Sequence, residues 1–381
     1  MDGIEAFLKQ KLAAREAKNY LRTLPKVDFL NPENSLLDFS SNDYLGLARS
    51  EDFKTKIAKE CEQLQASVGA TGSRLISGNT QYCEDVEEYI AEFHQAEAAL
   101  IFNSGYNANV GICSCIASPT DTIFYDELCH ASIRDGLRLS RAKTIAFRHN
   151  DLTDLAKKMD GIDGNIFIVV ESVYSMDGDV APLEDLVAMT RGNSKIALLV
   201  DEAHSIGIFG KNGGGLVQAF GLEKDVFARI ITYGKAPGVH GAAVIGPAFL
   251  KEYLINYASS FIYTTALPIP ALVGIKLSYE MMIANNFQQQ LHHKIDLFLN
   301  NLKPIAKQHF VESCSPIQSL VITGNAKIKA IAQQLNNAGF GVKAILFPTV
   351  SKGEERIRIS LHVFNGDAEI IRLAQLINQL V

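Results

Sequence analysis

Two charged residues follow successive apolar runs of the sequence and could do chemistry together. Asp201 closes the run KIALLVD (195–201), and Lys235 lies 34 positions later, in a glycine-rich turn after ARIITY (228–233). A carboxylate at a buried strand end is costly unless a cation meets it. A lysine in a partly buried turn can have a depressed pKa, which suits it to Schiff-base chemistry. Taken singly, Asp201 also fits a structural salt bridge, and Lys235 also fits a solvated loop.

A predicted helix start supplies a third feature. After the run AALIF (98–102) the chain breaks at Asn103-Ser104-Gly105 and restarts as a helix near Tyr106. Backbone N–H groups at a helix start bind anions, and a glycine there lets a phosphate approach closely. On its own this stretch also fits a plain turn capped by Ser104. Together, the three features predict a pyridoxal 5'-phosphate site, in which the helix binds the phosphate, Lys235 the aldehyde and Asp201 the protonated ring nitrogen.

The letters DEAH at positions 201–204 also characterise a large group of helicases. A helicase requires a phosphate loop of the form GxxxxGK followed by Ser or Thr. The nearest stretch, GIFGKNGGG (207–215), has Asn212 after Lys211 and lacks the leading glycine. The net charge of −6 and the absence of any Lys/Arg cluster also argue against nucleic-acid binding. The sequence therefore does not favour a helicase.

Two other predicted strands end in polar residues. His130 follows the run DTIFYD, and Glu171 and Ser175 lie at the end of NIFIVVES. Ligands bind at the carboxyl ends of strands in open α/β sheets, so these side chains are candidates for the same site. His130 also fits a satisfied polar core residue. The Asp177-Gly178 dipeptide after Ser175 predicts a turn.

Composition points to an ordinary globular protein, with 47% hydrophobic and 20% charged residues. The first 21 residues lack the apolar core of a signal peptide, and no stretch is long enough to span a membrane. Cys113 and Cys115 have one residue between them and no matching second pair, so we predict no metal site. We expect a cytoplasmic protein that binds neither nucleic acid nor membranes.

The pattern of apolar runs predicts an α/β fold. Short runs that are apolar on both faces, separated by helical patterns, indicate a buried, mostly parallel sheet covered by helices. Seven runs predict seven strands: AALIF (98–102), DTIFYD (121–126), AKTIAF (142–147), NIFIVVES (165–172), KIALLVD (195–201), ARIITY (228–233) and AAVIG (242–246).

A chain of 381 residues exceeds the size of a single core, so two packed units are expected. The predicted parts are an N-terminal segment (1–49), a large cofactor-binding domain (50–267) and a smaller α+β domain (268–381). We predict one amphipathic helix over residues 5–24, ended near Pro25. We predict a long helix over residues 268–309, followed by a strand, a helix, a strand and a terminal helix.

Nine segments, in order along nearly the whole chain, resemble those of the α-oxoamine synthases. These fold-type-I pyridoxal phosphate enzymes condense an amino acid with an acyl thioester and release carbon dioxide. The segments are FSSNDYLGLA (39–48), GATGSRLISGNT (69–80), FNSGYNAN (102–109), CHAS (129–132), ESVYSMDGDVAPL (171–183), VDEAHSIG (200–207), TYGKAPGVHGAA (232–243), YTTALP (263–268) and FPTV with RIRISL (347–361). The resemblance implies the fold-type-I transferase architecture, with a large domain, a small domain and a homodimer.

The resemblance also implies roles around the cofactor. Lys235 would hold the cofactor and then remove the Cα proton of the amino acid. Asp201 would pair with the ring nitrogen, and His204 would contact the ring oxygen. His130 would stack over the ring and align the incoming substrate. The residues implied to line the cofactor and its phosphate are Gly105, Tyr106, Ser175 and Thr232.

The implied substrate contacts lie elsewhere in the sequence. Arg358 would bind the amino-acid carboxylate, because a guanidinium fork matches its two oxygens. Asn42 would help to hold the amino acid, and Arg22 and Thr349 would contact the acyl substrate. In the homodimer, with its shared active sites, each site would receive Thr264 and Thr265 from the neighbouring subunit.

Within the family, the short N-terminus and the segment SSNDYLGLA (40–48) favour L-alanine and a pimeloyl thioester as substrates, in biotin synthesis. The enzymatic alternative joins glycine to acetyl-CoA, and relatives with other acyl groups share nearly all of these motifs. The carrier of the acyl group, coenzyme A or an acyl carrier protein, stays open. A non-catalytic protein is disfavoured by the joint presence of Lys235, Asp201, His130 and Arg358.

Overall fold

The computed structural model describes residues 2–17, 21, 22, 24, 36–347 and 349–381. The strands are β1 (Leu37–Asp38), β2 (Ala98–Phe102), β3 (Thr122–Asp126), β4 (Lys143–Phe147), β5 (Ile166–Glu171), β6 (Ile196–Asp201), β7 (Ala228–Thr232), β8 (Ala242–Gly246), β9 (Ile317–Val321), β10 (Phe340–Gly341), β11 (Lys343–Ile345) and β12 (Arg356–Ser360). The helices are α1 (Asp2–Ala17), α2 (Glu51–Gln63), α3 (Gln81–Phe93), α4 (Gly105–Cys115), α5 (Ala131–Leu139), α6 (Leu152–Met159), α7 (Leu183–Thr190), α8 (Leu216–Ala219), α9 (Ala248–Tyr257), α10 (Ser259–Ile262), α11 (Ile269–Ala284), α12 (Phe287–Asn301), α13 (Pro304–Lys307), α14 (Asn325–Asn337) and α15 (Asp367–Leu380).

The seven predicted runs form one seven-stranded sheet in the order β2-β8-β7-β6-β5-β3-β4. Strand β8 is antiparallel to both of its neighbours, and the other pairs are parallel. The central strands are apolar on both faces because helices cover both; in β6, Leu198, Leu199 and Val200 are all buried. The prediction of a mostly parallel seven-stranded sheet is confirmed.

A second sheet forms the smaller unit. Its three antiparallel strands have the order β11-β12-β9; α14 packs against β11 and β12, and α15 packs against α14. The two-residue strand β1 pairs with β10, and the chain then runs along the end of β12, where Ser360 N–H donates to the Phe39 carbonyl at 2.8 Å. Residues 42–44 are thereby held beside β12. The domain boundaries at residues 49 and 267 stay a prediction.

The prediction of one helix over residues 5–24 is wrong about where the helix ends. Helix α1 is described as far as Ala17, and Leu21, Arg22 and Leu24 lie outside any helix. The apolar side chains of α1 are exposed, and a helix without tertiary packing has little to prolong it. The predicted stop at Pro25 lies outside the described residues.

The predicted long helix over residues 268–309 is also wrong, because this segment forms α11, α12 and α13. The first break is at Asn285, whose backbone is extended (φ −123°, ψ 155°). The second break precedes Pro304, and Lys303 is extended (φ −71°, ψ 154°) as a residue before proline prefers to be. In the described part of the chain, no helix is both long and apolar enough to cross a membrane.

Candidate active site

The carboxyl ends of the central strands bring the predicted site residues together. In the ladder of β5 and β6, Glu171 lies directly opposite Asp201, and Asp201 in turn lies opposite Ile230 of β7. Parallel strands end at the same edge of the sheet, so the loop residues that follow them share one region. Lys235 lies on the loop after β7, which places its amine near Asp201.

The described hydrogen bonds of the Asp201 carboxylate come from neutral donors. Its side chain is buried and accepts hydrogen bonds from Asn109 Nδ2 at 2.7 Å and from the Ala203 backbone N–H at 2.9 Å. No ion pair among the described residues includes Asp201. The structural salt bridge that the sequence left open is therefore not formed there. A buried carboxylate with this surrounding is suited to a cationic group of a ligand.

The amine of Lys235 pairs with His204, with 2.6 Å between Nζ and Nε2. Burial lowers the pKa of Lys235, although the carboxylates of Asp201 and Glu171 act in the opposite direction. Burial also lowers the pKa of His204 far below its ordinary value, so its imidazole is neutral. The site therefore presents a lysine whose amine loses its proton more readily than an exposed lysine does, which suits a nucleophile or a base.

A continuous chain of hydrogen bonds joins His204 to Arg358. His204 Nδ1 lies 2.9 Å from the hydroxyl of Tyr44, and Arg358 Nη2 donates to that same hydroxyl oxygen at 2.8 Å. Asn42 Oδ1 accepts from Arg358 Nη2 at 2.9 Å and from the Tyr44 hydroxyl at 3.1 Å. Arg358 Nε also donates to the Ser175 carbonyl at 2.7 Å. The guanidinium is thus fixed from several sides and only half-buried.

The start of helix α4 lies against β7. Ser104 caps the helix by accepting a hydrogen bond from Asn107 N–H at 3.2 Å. A Cβ atom on Gly105 would lie 2.3 Å from Thr232 Oγ1, so only glycine fits at this position. The helix start, whose first N–H groups have no partner within the helix ladder, therefore lies beside the threonine that ends β7, which is the arrangement an anion site needs.

His130 and Ser175 are both tied to Glu171. The backbone N–H groups of His130 and Ser175 donate to the Glu171 carboxylate. Burial, followed by the charge of Asp201, raises the pKa of Glu171. The His130 side chain is exposed, and its Nδ1 lies 2.7 Å from Ser132 Oγ. Burial of part of the ring and the charge of Lys235 lower the pKa of His130.

Four other predicted residues make their described hydrogen bonds outside the cluster around Lys235. Arg22 and Thr349 are exposed and touch each other, with 3.4 Å between Arg22 Nη2 and Thr349 Oγ1. Asn103 Nδ2 donates to Thr264 Oγ1 at 3.1 Å and to the Thr265 carbonyl at 2.8 Å. In the single chain, both threonines therefore lie next to the start of α4.

The hydroxyl of Tyr106 is bonded outside the cluster around Lys235. Tyr106 follows Gly105, but its ring is about half exposed, and its hydroxyl donates to Asp135 Oδ2 at 2.7 Å. The described contacts of its hydroxyl do not include the central cluster around Lys235.

Sequence reasoning missed two residues that hold this cluster. Tyr44 lies inside the segment FSSNDYLGLA and is fully buried. Asn109 lies inside FNSGYNAN, on the buried face of α4, and reaches Asp201. A buried amide on an otherwise apolar helix face was the available signal for Asn109. For Tyr44 the sequence offers only its place beside the predicted site residue Asn42.

The residues present fit pyridoxal phosphate. A lysine amine, a buried carboxylate held by neutral donors and a glycine-containing helix start lie around one edge of the sheet. These are the donors that an aldehyde, a ring nitrogen and a phosphate require. Within the described ranges, no group of three or more His, Cys, Asp or Glu side chains could hold a metal ion.

Comparison with known proteins agrees with this chemistry. The model of the aminotransferase class I and II family matches residues 34–374. The 8-amino-7-oxononanoate synthase of Emericella nidulans is 40% identical over 97% of this chain and 94% of its own length. The structure of 8-amino-7-oxononanoate synthase from Francisella tularensis is similar with a TM-score of 0.76 and 30% identity, over 91% of this chain and 98% of that one. A serine palmitoyltransferase from S. paucimobilis, solved with a bound pyridoxal phosphate–myriocin aldimine, is similar with a TM-score of 0.83 and 28% identity, over 90% of this chain and 86% of that one.

Proposed function

This chain belongs to the aminotransferase class I and II family, and within it to the pyridoxal phosphate-dependent α-oxoamine synthases, and we propose that it acts as an 8-amino-7-oxononanoate synthase. The reaction is the condensation of L-alanine with a pimeloyl thioester, with release of the thiol and of carbon dioxide, in biotin synthesis. The observation that carries the proposal is the gathering of a lysine amine, a buried carboxylate held by neutral donors, and a guanidinium at one edge of the sheet. The relatives named 8-amino-7-oxononanoate synthase support the choice of substrates.

Pyridoxal phosphate, when bound, supplies an electron sink that makes the Cα proton of an amino acid acidic near neutral pH. Lys235 would hold its aldehyde, and Asp201 would face its ring nitrogen. His204 would face the ring oxygen, and His130 would lie over the ring. The phosphate and ring would be lined by Gly105, Tyr106, Ser175 and Thr232.

The chain's own residues then divide the work on L-alanine. Arg358 binds the carboxylate through its guanidinium fork, with Asn42 beside it. Lys235 removes the proton at Cα, for which an amine with a lowered pKa is suited because more of it is unprotonated. Neutral His204 accepts from or donates to Lys235 Nζ without adding a second positive charge. His130 aligns the incoming thioester.

For the acyl substrate we propose the exposed pair of Arg22 and Thr349. Their contact supports this role, because an exposed guanidinium beside Thr349 would attract an acyl chain that ends in a carboxylate. The acyl carrier can be coenzyme A or a carrier protein, and both thioesters should be tried as donors.

We also propose a homodimer with shared active sites, in which Thr264 and Thr265 serve the partner's site. An apolar patch supports it: Val68, Ile76 and Tyr263 are 92%, 87% and 84% exposed in the single chain. The segments that carry them are joined, since Ala266 N–H donates to the Gly72 carbonyl at 2.9 Å. Monomeric soluble proteins rarely expose contiguous apolar patches larger than roughly a few hundred Å².

The test is a steady-state assay of thiol release with L-alanine or glycine against pimeloyl-CoA and acetyl-CoA. We expect fast turnover with L-alanine and pimeloyl-CoA. Fast turnover with glycine and acetyl-CoA alone would contradict the proposal and favour the alternative enzyme, which joins glycine to acetyl-CoA. As a control, Lys235→Ala should abolish turnover and the visible absorbance of bound pyridoxal phosphate.

A further inference from the structure

Tyr44 occupies an unusual position between the two halves of the proposed site. Its hydroxyl is fully buried and has three polar neighbours: His204 Nδ1 at 2.9 Å, Arg358 Nη2 at 2.8 Å and Asn42 Oδ1 at 3.1 Å. His204 in turn contacts the Lys235 amine, and Arg358 is the proposed carboxylate anchor. One oxygen atom therefore links the group that handles the amine to the group that handles the carboxylate.

The Tyr44 hydroxyl can make its hydrogen bonds in two arrangements, which differ in the group that receives its proton. When Lys235 is an ammonium ion, Nζ must donate to His204 Nε2, so the one proton of the neutral imidazole is on Nδ1 and points at Tyr44. The hydroxyl then donates to Asn42. When Lys235 is a neutral amine, the imidazole proton can lie on Nε2, and the hydroxyl can turn to donate to Nδ1. Arg358 donates to the oxygen in both cases.

The charged groups that face this chain come from several elements. Asp201 and Glu171 at the ends of β6 and β5 favour the ammonium form of Lys235, whereas Arg358 on β12 opposes it. Lys235, Arg358 and His130 all act against a positive charge on His204, after burial itself. The His204 imidazole therefore stays neutral while Lys235 titrates. The imidazole proton moves from one ring nitrogen to the other.

We propose that Tyr44 is a positioning residue that matches the tautomer of His204 to the protonation state of Lys235 and holds the Arg358 guanidinium through the same oxygen. The hydroxyl can serve both tautomers because it is a donor as well as an acceptor. A phenylalanine can serve neither. The inference deepens the proposed function and rests on it for the role of Arg358.

The test compares Tyr44→Phe with the wild-type protein in two assays. In the first, apoprotein captures pyridoxal phosphate across a pH series, and visible absorbance gives the rate. Without Tyr44, His204 Nδ1 has no partner in either tautomer, but an unpaired buried N–H is tolerated less well than an unpaired acceptor. The ammonium form of Lys235, which requires the Nδ1–H tautomer, is therefore the more disfavoured, and we expect the pH midpoint of capture to fall by about one unit. In the second, we expect KM for L-alanine to rise about three- to tenfold, because Arg358 loses one of its acceptors.

Tyr279→Phe is the matched control. Tyr279 is also fully buried, and its hydroxyl also contacts a histidine, since His94 Nε2 lies 2.9 Å away, but it lies outside the proposed site. We expect a similar loss of thermal stability in both variants, with the capture midpoint and KM of Tyr279→Phe unchanged. An unshifted capture midpoint in Tyr44→Phe, or an equal shift in both variants, would overturn the inference.

The capture assay uses no amino acid or thioester, so it separates this inference from the proposed function. Wild-type protein that captures pyridoxal phosphate but does not turn over L-alanine would contradict the function alone. If Tyr44→Phe does not fold, the nitrogen NMR shifts of His204 in the wild-type apoprotein, assigned with His204→Gln, give the answer. We expect the proton to move from Nδ1 to Nε2 as Lys235 titrates; a tautomer that does not change with pH would refute the proposal.

Discussion

The partners of Asp201 decide what its carboxylate can do. An amide and a backbone N–H orient the two oxygens without neutralising them, so the full charge is available to a cationic ring nitrogen. A lysine or arginine partner would have neutralised that charge within the protein and left none for a ligand. The same logic applies to Lys235, whose nearest partner is a neutral histidine.

We predict that Asp201→Asn lowers kcat/KM by at least about 100-fold, because a preorganised charge opposite the developing electron density is lost. Stability should change little, since the asparagine keeps the shape of the side chain, and the removal of a buried charge offsets the loss of one of the two accepted hydrogen bonds. Thiol-release kinetics and thermal unfolding measure the two effects. Asp185→Asn, an exposed change on α7, is the control, and equal activity of both variants would contradict the role of Asp201.

Helices and strands contribute their ends to the site. Helix α4 can lie close to β7 only because residue 105 is a glycine, and the loops after β3, β4 and β5 are held together by His149. Its Nδ1 lies 3.0 Å from Asp126 Oδ1 and its Nε2 lies 2.7 Å from Asp179 Oδ2. Asp179 belongs to the turn that also contains Ser175, so His149 braces the loop that contacts Arg358.

Gly105→Ala should weaken binding of pyridoxal phosphate. The new Cβ would lie 2.3 Å from Thr232 Oγ1, so the start of α4 must move away from β7. Loss of one good phosphate contact raises Kd by about tenfold, measured by absorbance titration. Gly366→Ala changes a glycine at the start of α15, where a Cβ meets only Glu369 side-chain atoms at 3.4 Å or more, and it should leave Kd unaltered. Equal affinity of the two variants would speak against a phosphate seat at α4.

His149 gives a pH dependence of stability. Burial alone would lower its pKa, but hydrogen bonds to Asp126 and Asp179 raise the pKa of His149 to about 10. A raised pKa means that the protonated form stabilises the fold below the ordinary value of 6.5, and that this contribution is lost as the pH rises through about 10. The Tm difference between wild type and His149→Gln should therefore shrink from pH 6.5 to pH 10. His309→Gln is the control variant. A Tm difference between wild type and His149→Gln that does not change with pH would exclude protonation of His149 as the origin of the stabilisation.

At the scale of the whole molecule, the two sheets meet through the N-terminal segment. Residues 37–44 leave a pairing with β10, pass the end of β12 and deliver Asn42 and Tyr44 to the edge of the large sheet. The candidate site is therefore built from three distant parts of the chain. The apolar patch around Ile76 borders the same region, because Thr264 and Thr265 contact Asn103 there.

We predict that the wild-type protein is a dimer and that Ile76→Lys is largely monomeric, because a charge in an apolar interface is costly. Activity should fall with dimer content if the sites are shared. Light scattering coupled to size-exclusion chromatography, together with the thiol-release assay, measures both. Ile305→Lys places the same change at another exposed isoleucine, on α13, and should remain dimeric. A monomeric and fully active wild type would refute the shared-site dimer.

Much of the architecture was present in the sequence because it depends on local pattern. Runs such as IALLVD are apolar on both faces and could only be central strands, so the seven-stranded sheet was predicted and is confirmed. The cofactor followed from Asp201, Lys235 and the helix start at Gly105, and the family followed from the ordered motifs. Helix ends were predicted less well, since the break at Asn285 and the end of α1 depend on packing that no local pattern contains.

The sequence by itself determined the chemical inventory: a lysine, a carboxylate and a glycine-containing helix start, each placed at a strand end. Only the tertiary structure decided their partners. Asp201 accepts a hydrogen bond from Asn109 and forms no described ion pair with a lysine or arginine. Tyr44 joins His204 to Arg358, which lie 154 positions apart in the sequence. The reason is physical, because hydrogen bonds act over about 3 Å, and residues far apart in sequence come that close only after the two sheets have packed.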